Sequence, residues 1–431
     1  MIGYDSIEYA SLTDVGIRRS HNQDAHATLL AGDSEQWRER GHIFLVADGM
    51  GAHAVGELAS ELAVGIIPHT YHKHAPQAGV AALRKAFVEA NARIHAKGQQ
   101  NPEFGGMGTT TTALLIRPEG AWVGHVGDSR AYRIRDGQIE QLSFDHSLVW
   151  EMARRQGVDP DALEGIPSNV IVRSLGPEPL VQVDLEGPHP ARSGDIYILC
   201  SDGLSGQLSD SEIGAIASEL PAAEACRLLV DLANLRSGPD NITVLIVRIN
   251  DRPSPSRIIA PTQRTLWQRL RPWLRPWPVP VLAAGLLLTG QAAYVWAYDL
   301  RVFAIVSLVL AVIAVGIGLV GLAYHYAAEK RRRASTHDFP PPRVYRSFSC
   351  RIDHDLIAKL GNALVTLEQQ VRGKQWEVDW QAYQQLRDSA EKHFSEESLS
   401  ESLRDYCHAI HLLVEAVHRM RPKGEVFQPV W

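Results

Sequence analysis

A short apolar run that stops at Asp-Gly occurs twice in this chain, as Phe44-Leu45-Val46-Ala47-Asp48-Gly49 and as Tyr197-Ile198-Leu199-Cys200-Ser201-Asp202-Gly203. Runs this short, bounded by turn residues, read as buried strands, and a carboxylate at the end of a buried strand is aimed by a rigid sheet. Two further carboxylates fit the pattern. Asp240-Asn241 precedes the run Ile242 to Val247, and Asp24 precedes Ala25 to Leu30. Taken singly, each Asp-Gly is an ordinary turn. Together, four carboxylates at strand ends form a hard oxygen donor set of the kind that Mg²⁺ or Mn²⁺ takes, and glycine after aspartate lets a backbone carbonyl reach the same ion.

At 431 residues the chain is long enough for two or three domains. A net charge of −6, with no basic stripe in the first 250 residues, points away from nucleic acid. Cys200, Cys226, Cys350 and Cys407 lie far apart and read as reduced thiols rather than a disulfide frame or zinc site. Met1 to Ala10 lacks the charged flank and apolar core of a secretion signal, so no cleaved leader is expected.

Composition changes sharply after Asn250, which predicts a first domain over 1–250. Within it, strand patterns alternate with helical stretches near Val55 to Thr70 and Val80 to Lys97, and Asp136-Gly137 reads as the turn of an antiparallel hairpin. Residues 251–278 form a linker rich in Pro, Arg and Trp, the last suited to a membrane interface. Two apolar stretches follow over 279–298 and 302–328, separated by Asp299-Leu300-Arg301. Twenty helical residues cover roughly 30 Å, the hydrocarbon thickness of a bilayer, so 279–328 reads as a transmembrane hairpin. The alternative is a hairpin buried in a soluble core. Arginines before the first span and Lys330-Arg331-Arg332-Arg333 after the second predict that both flanks are cytoplasmic.

Residues 329–348, with Pro340-Pro341-Pro342, read as a second linker, and 349–431 as a small all-α cytoplasmic region. Leu356, Leu360, Leu364, Leu367 and Val371 recur at helical spacing, as do Leu403, Ile410, Leu413 and Val417. Such helices pack on one another or on a partner. A three-helix bundle is the simpler expectation, and the paired helices of tetratricopeptide-like repeats the other. A fragment ending near Asn250 is expected to hold every core strand.

Seven motifs occur in a familiar order: Thr13-Asp14-Val15-Gly16 with Arg19-Ser20-His21-Asn22-Gln23-Asp24, Asp48 to His53, Gly106 to Thr110, Gly127-Asp128-Ser129-Arg130, Ile171 to Gly176, Ser201-Asp202-Gly203 and Gly238 to Asn241. With these, Tyr9 to Ile249 resembles the metal-dependent protein serine/threonine phosphatases (PPM, or type 2C), in particular their bacterial branch. The resemblance implies an α+β fold, a four-layer α/β/β/α sandwich of two antiparallel sheets flanked by helices, with two metal ions at one end.

By resemblance, Asp48 bridges both Mn²⁺ or Mg²⁺ ions, Gly49 adds its carbonyl, Asp202 and Asp240 complete one metal, and Asp24 holds metal-bound water. Asp128 corresponds to a ligand of a third, weaker metal. Arg19 corresponds to the arginine that binds phosphate and is, with Asp48, the expected catalytic pair. Residues 147–167 and 169–176 correspond to a flap bordering the substrate cleft. The implied reaction is hydrolysis of phospho-Ser/Thr on cytoplasmic proteins by a metal-bridging hydroxide, at the cytoplasmic membrane and opposing a Ser/Thr kinase. The alternative is a catalytically weak phosphoprotein-binding scaffold acting through its C-terminal helices. Two positions depart from the wider family. Gln23 stands where Glu is usual, and Met50 where animal members carry a histidine acid, leaving His53 or a metal-bound water for that role.

Overall fold

The computed structural model describes residues 3–51, 55–163, 165–167, 169–250, 278–298, 300–335 and 341–420. Most of the linker expected over 251–278, together with His53, Asp299, 336–340 and the terminal residues after 420, lies outside the described residues. The chain forms two compact units, one of Met1–Pro76, Val80–Ser256 and Phe339–Trp431, the other of Gln77–Gly79 and Arg257–Asp338.

The first unit holds two antiparallel sheets. In one, strands run in the order β1 (Ile7–Asp14), β11 (Ile242–Ile249), β10 (Ile196–Cys200), β7 (Arg130–Arg135), β8 (Gln138–Gln141) and β12 (Arg346–Ser349). In the other the order is β2 (Asp24–Leu29), β3 (His42–Met50), β5 (Thr111–Arg117), β6 (Gly120–Val126) and β9 (Asp184–His189), with the short β4 (Gly108–Thr109) beside β3. Phe44, Val46, Leu114 and Val123 of the second sheet and Tyr197, Leu199, Leu245 and Val247 of the first share one buried cluster, so the sheets are held together by alternating inward side chains. The hairpin between β7 and β8 turns where the sequence indicates, with Asp136 at φ 53° and Gly137 at φ 74°.

Helices cover the sheets. They are α1 (Ser34–Arg40), α2 (Val55–Ala78), α3 (Ala81–Gly98), α4 (Leu148–Gln156), the short α5 (Asp202–Ser205), α6 (Asp210–Glu219) and α7 (Ala222–Leu235). After the second unit come α10 (His354–Gly373), α11 (Trp380–Ser395) and α12 (Leu399–Met420). These three helices bury the predicted leucine stripes, but not only against each other: Leu356, Leu360 and Leu413 belong to the same cluster as Ile213 and Ile216 on α6 and Leu228 on α7.

The C-terminal segment is therefore part of the first unit. It also begins earlier than the all-α region expected from 349, because β12 occupies the end of the expected linker and pairs with β8, Arg346 opposite Gln141 and Phe348 opposite Ile139. The expectation that residues up to Asn250 hold every core strand leaves out β12, which adds an edge to the first sheet. A four-residue strand with exposed polar positions has little periodic signal of its own, and only its partner β8 defines it.

The second unit is a helical hairpin of α8 (Pro278–Ala297) and α9 (Arg301–Ser335), the latter running on through the basic residues expected to be linker. Residues Arg301–Ala323 are long and apolar enough to cross a membrane, while Val281–Ala297 is a shorter apolar helix. The two pack through small residues. Ala292, Ala304 and Ala311 are buried, and a Cβ on Gly285 would lie 2.8 Å from Val315 Cγ2. Large side chains such as Leu287, Trp296, Phe303 and Val320 face outward.

Gly214 on α6 reports how tightly the C-terminal segment is seated. A Cβ there would stand 2.5 Å from Cys350 Cβ and 3.0 Å from Ile139 Cβ. Gly214→Ala gains up to about 1 kcal/mol in helix propensity, but overpacking costs about 1–3 kcal/mol. The net expectation is a lower melting temperature, relieved in Gly214→Ala combined with Cys350→Gly. Thermal unfolding of the parent, Gly214→Ala and the double variant checks this, and an unchanged or raised Tm in Gly214→Ala would show that α6 and Cys350 are not in contact.

Candidate metal centre

The carboxylates singled out from sequence gather where the two sheets end. Asp24 opens β2 and stands directly across from Asp48 of β3. Asp202 opens α5 just beyond β10, and Asp240 lies just ahead of β11. Asp128 sits in the turn after β6 and is buried.

Glycines bring these backbones together. A Cβ on Gly49 would fall 2.1 Å from the carbonyl oxygen of Gly56, one on Gly203 would fall 2.0 Å from that of Asn241, and Gly16, at φ 76°, would meet the Asp240 carbonyl at 2.1 Å. Both Asp-Gly pairs are thus demanded by close approach, and neither acts as a simple hairpin turn, since Gly49 lies inside β3 and Gly203 inside α5. The Gly49 amide donates to Gln23 O at 3.1 Å, which ties the neighbour of Asp48 to the neighbour of Asp24.

Polar side chains then hold the acids in place. Ser201 Oγ donates to Asp24 Oδ2 at 2.7 Å and accepts from the Thr243 amide at 2.9 Å, crossing from one sheet to the other. The Asp48 carbonyl accepts from the Thr110 amide and from Thr109 Oγ1, both at 2.8 Å, while its amide donates to Thr110 Oγ1 at 3.1 Å. Asn241 accepts from the Gln23 amide and donates to the carbonyls of Val15 and His21. Read from sequence alone, Thr109 and Thr110 are ordinary strand residues. Their place in the Gly106 to Thr110 motif was the available signal.

Electrostatically the cluster is strained. Burial, reinforced by the charges of Asp202 and Asp240 and opposed by the Ser201 and Thr243 hydrogen bonds, raises the Asp24 carboxyl to about 7. Burial, then the charges of Asp24, Asp202, Asp128 and Asp240, pushes Asp48 well above the usual carboxylate range. Asp128 is likewise pushed well up by burial and by Asp202 and Asp145. Asp202 is raised by burial and Asp240, although a hydrogen bond with Asp48 works the other way.

One oxygen each of Asp24, Asp128 and Asp202 is buried with no hydrogen-bond partner. Buried acids that repel one another and leave oxygens unsatisfied fit a divalent cation, which would supply both the missing charge and the missing partners. Among the described residues no three such side chains already converge as a finished cage. What the fold supplies is the donor set and its spacing on rigid strand ends.

At the open rim Arg19 Nη2 donates to Asp240 Oδ2 at 2.7 Å, with the Arg19 side chain half exposed. Beside the acids a cavity of about 310 Å³ is lined by Asp128 and Asp202 on one side and by Trp150, Asp161 and Ile166 of the expected flap on the other. The structure thus brings together Asp24, Asp48, Gly49, Asp128, Asp202 and Asp240, with Arg19 at the edge. His53 lies outside the described residues.

The protein phosphatase 2C family model matches residues 17–232. The protein phosphatase PhpP of Streptococcus pneumoniae is 37% identical over 253 residues, covering 57% of this chain and 98% of that one. The serine/threonine protein phosphatase PstP of Mycobacterium tuberculosis is 33% identical over 249 residues, and this chain spans only 45% of its length. Crystal structures of the M. tuberculosis phosphatase PstP/Ppp and of the S. agalactiae serine/threonine phosphatase superimpose with TM-scores of 0.51 each, at 34% and 33% identity, over 57% of this chain and 99% and 100% of theirs. Half of the chain matches one family model, and nearly the whole of the pneumococcal protein aligns to it: this chain belongs to the protein phosphatase 2C family.

Proposed function

We propose that this protein is a membrane-anchored, Mn²⁺- or Mg²⁺-dependent phosphatase that removes phosphate from Ser and Thr of cytoplasmic proteins and so opposes a Ser/Thr kinase. The observation that carries the reading is the buried cluster of mutually repelling aspartates with unsatisfied oxygens, set beside an arginine at an open rim.

Bound divalent cations would neutralise the cluster and acidify water at neutral pH, as paired metals do in phosphoryl-transfer sites. Asp48, at the centre of the repulsion, would be the carboxylate shared between two ions, with the Gly49 carbonyl, Asp202 and Asp240 as further ligands; Asp24, anchored by Ser201, would hold water beside the site, and Asp128 would serve a third, weaker position. Arg19 has a planar fork suited to two phosphate oxygens and exchanges its Asp240 contact for the substrate. Gln23 lends its backbone to the Asp48 neighbourhood, accepting from Gly49 and donating to Asn241. Those two backbone contacts do not require the usual Glu.

The exposed apolar side chains of α8 and α9 support anchoring as a hairpin, and the basic residues on both sides of it support a cytoplasmic position for both flanks. The scaffold alternative loses support from the burial of the C-terminal leucine stripes within the catalytic body, which leaves those faces occupied.

Three outcomes are expected. In chelator, Asp48→Asn should melt higher than the parent protein because it removes a carboxyl whose ionised form burial and the neighbouring acids oppose. With Mn²⁺ at about 100 times its Kd the order should reverse, since only the parent gains the roughly 2.7 kcal/mol of ligand stabilisation. Turnover of an aryl phosphate should drop at least about 100-fold in the same variant, whereas Arg19→Ala should raise KM by about 10-fold with unchanged metal dependence. Scanning calorimetry and metal-titrated kinetics read both, and an Asp48→Asn protein that is still stabilised by Mn²⁺ and still active would sink the metal assignment. For topology, protease probes at either end of the full chain in sealed vesicles should report one side, the cytoplasmic one; termini on opposite sides would refute the hairpin.

A further inference from the structure

The strand that follows the apolar hairpin does more than lengthen a sheet. Its first residue, Arg346, extends over the expected flap. The guanidinium is ion-paired to Asp161 and lies 3.5 Å from Asp159, with its central carbon over the Trp150 ring at 5.8 Å from the centroid and over the Phe348 ring of its own strand at 4.9 Å. The Arg346 side chain is only 10% exposed although both aspartates are largely in water. Asp159 in turn caps the short 3₁₀ turn Pro160–Ala162 by accepting from the Asp161 amide at 2.9 Å.

The preceding residue grips a second point. Tyr345 donates its hydroxyl to Glu186 at 2.5 Å, and its ring lies 5.5 Å from Phe144, which stands edge-on to Trp150 at 5.2 Å. Trp150 is also 5.9 Å from the Arg130 guanidinium, itself paired with Asp145 at 2.8 Å. Trp150 and Asp161 are residues of the flap that wall the cavity beside Asp128 and Asp202.

We propose that Tyr345 and Arg346 form a strap by which the C-terminal segment sets the position of the flap, making Arg346 a positioning residue that determines how a phosphoprotein is received next to the metal centre. Burial of the Arg346 side chain beside the rings favours the aromatic contact over the ion pairs as the source of hold. Ion pairs with exposed aspartates are screened by water and hold little, whereas a guanidinium buried beside aromatic rings loses that screening. Lysine, a compact point charge without a planar face, should not substitute. The substrate consequence rests on the phosphatase reading above; the mechanical consequence does not.

The experiment uses the full chain in detergent, with Arg346→Ala, Arg346→Lys, Asp161→Asn and the Arg346→Ala/Asp161→Asn double variant. Amide hydrogen exchange across Gly157–Leu163 should speed up about 10-fold in both Arg346 variants and less in Asp161→Asn, with the double variant no faster than Arg346→Ala, while β7 and β10 keep their protection. KM for a phosphothreonine peptide should rise about 5-fold in Arg346→Ala, with kcat for a small aryl phosphate within about 2-fold of the parent. Unchanged exchange in Arg346→Ala, or full retention by Arg346→Lys, would overturn the strap. Exchange that rises equally through β7 and β10 would do the same by revealing general destabilisation. Equal losses on peptide and aryl phosphate would overturn its link to substrate. Should the parent protein hydrolyse neither substrate with Mn²⁺, the phosphatase reading fails, and the exchange data still decide the strap.

Discussion

Acids of like charge held together out of water are the constraint on which the rest of this structure depends. Asp24 and Asp48 are directly opposed across two strands, a pairing that is unfavourable on any sheet, and Asp128, Asp202 and Asp240 add their fields to it. Nothing in the apolar core removes this repulsion. The arrangement persists because the surrounding backbone over-determines it: glycines 49, 203 and 16 admit neighbouring carbonyls to distances a side chain forbids, and Ser201, Thr110 and Asn241 pin the strand ends to each other. Such sites give up stability for chemistry, and a divalent cation turns the same repulsion into binding energy.

The two sheets explain why the cluster sits where it does. Each buries a face of alternating apolar residues against the other, which leaves the strand ends as the places where polar side chains from both sheets can converge. Ser201 is the clearest instance, since it closes a hydrogen-bonded link from the end of β10 to Asp24 on β2 while taking the Thr243 amide of β11.

The second organising fact is that the body of the protein is discontinuous in sequence. An apolar hairpin interrupts it, and the chain then returns to add β12 to the sheet edge and three helices over α6 and α7. Closing a long loop costs only slowly more as the loop grows, so such an interruption is tolerated wherever the returning segment buries enough apolar surface. Here it buries Cys350, Leu356, Leu360 and Leu413, and it covers a sheet edge that would otherwise be open. One consequence is that residues bordering the cavity beside the acids touch a segment outside the stretch matched by the family model.

Much of the site was legible in the chain itself. Asp24, Asp48, Asp202 and Asp240 stand beside apolar runs, and a buried strand has few ways to treat a terminal carboxylate other than to present it. The two long apolar stretches and the leucine stripes were equally plain, because hydrophobic periodicity is a local signal. The support from Thr110 and Ser201 was not legible, since a hydroxyl in a strand looks the same whether it holds an acid or merely favours extended backbone. Nor was the role of the Asp-Gly glycines, which is set by carbonyls of residues 7 and 38 positions away in Gly56 and Asn241 rather than by a turn. Least visible of all was the strap. Arg346 and Tyr345 look like linker residues until β8, some 205 positions earlier, supplies the hydrogen-bonding edge, and Trp150 and Asp161 supply the ring and the charge. Local pattern determined which elements form and which acids they carry; only tertiary structure decided which distant elements meet, because backbone close approach and a buried cation's partners depend on surfaces that exist only after the sheets have packed.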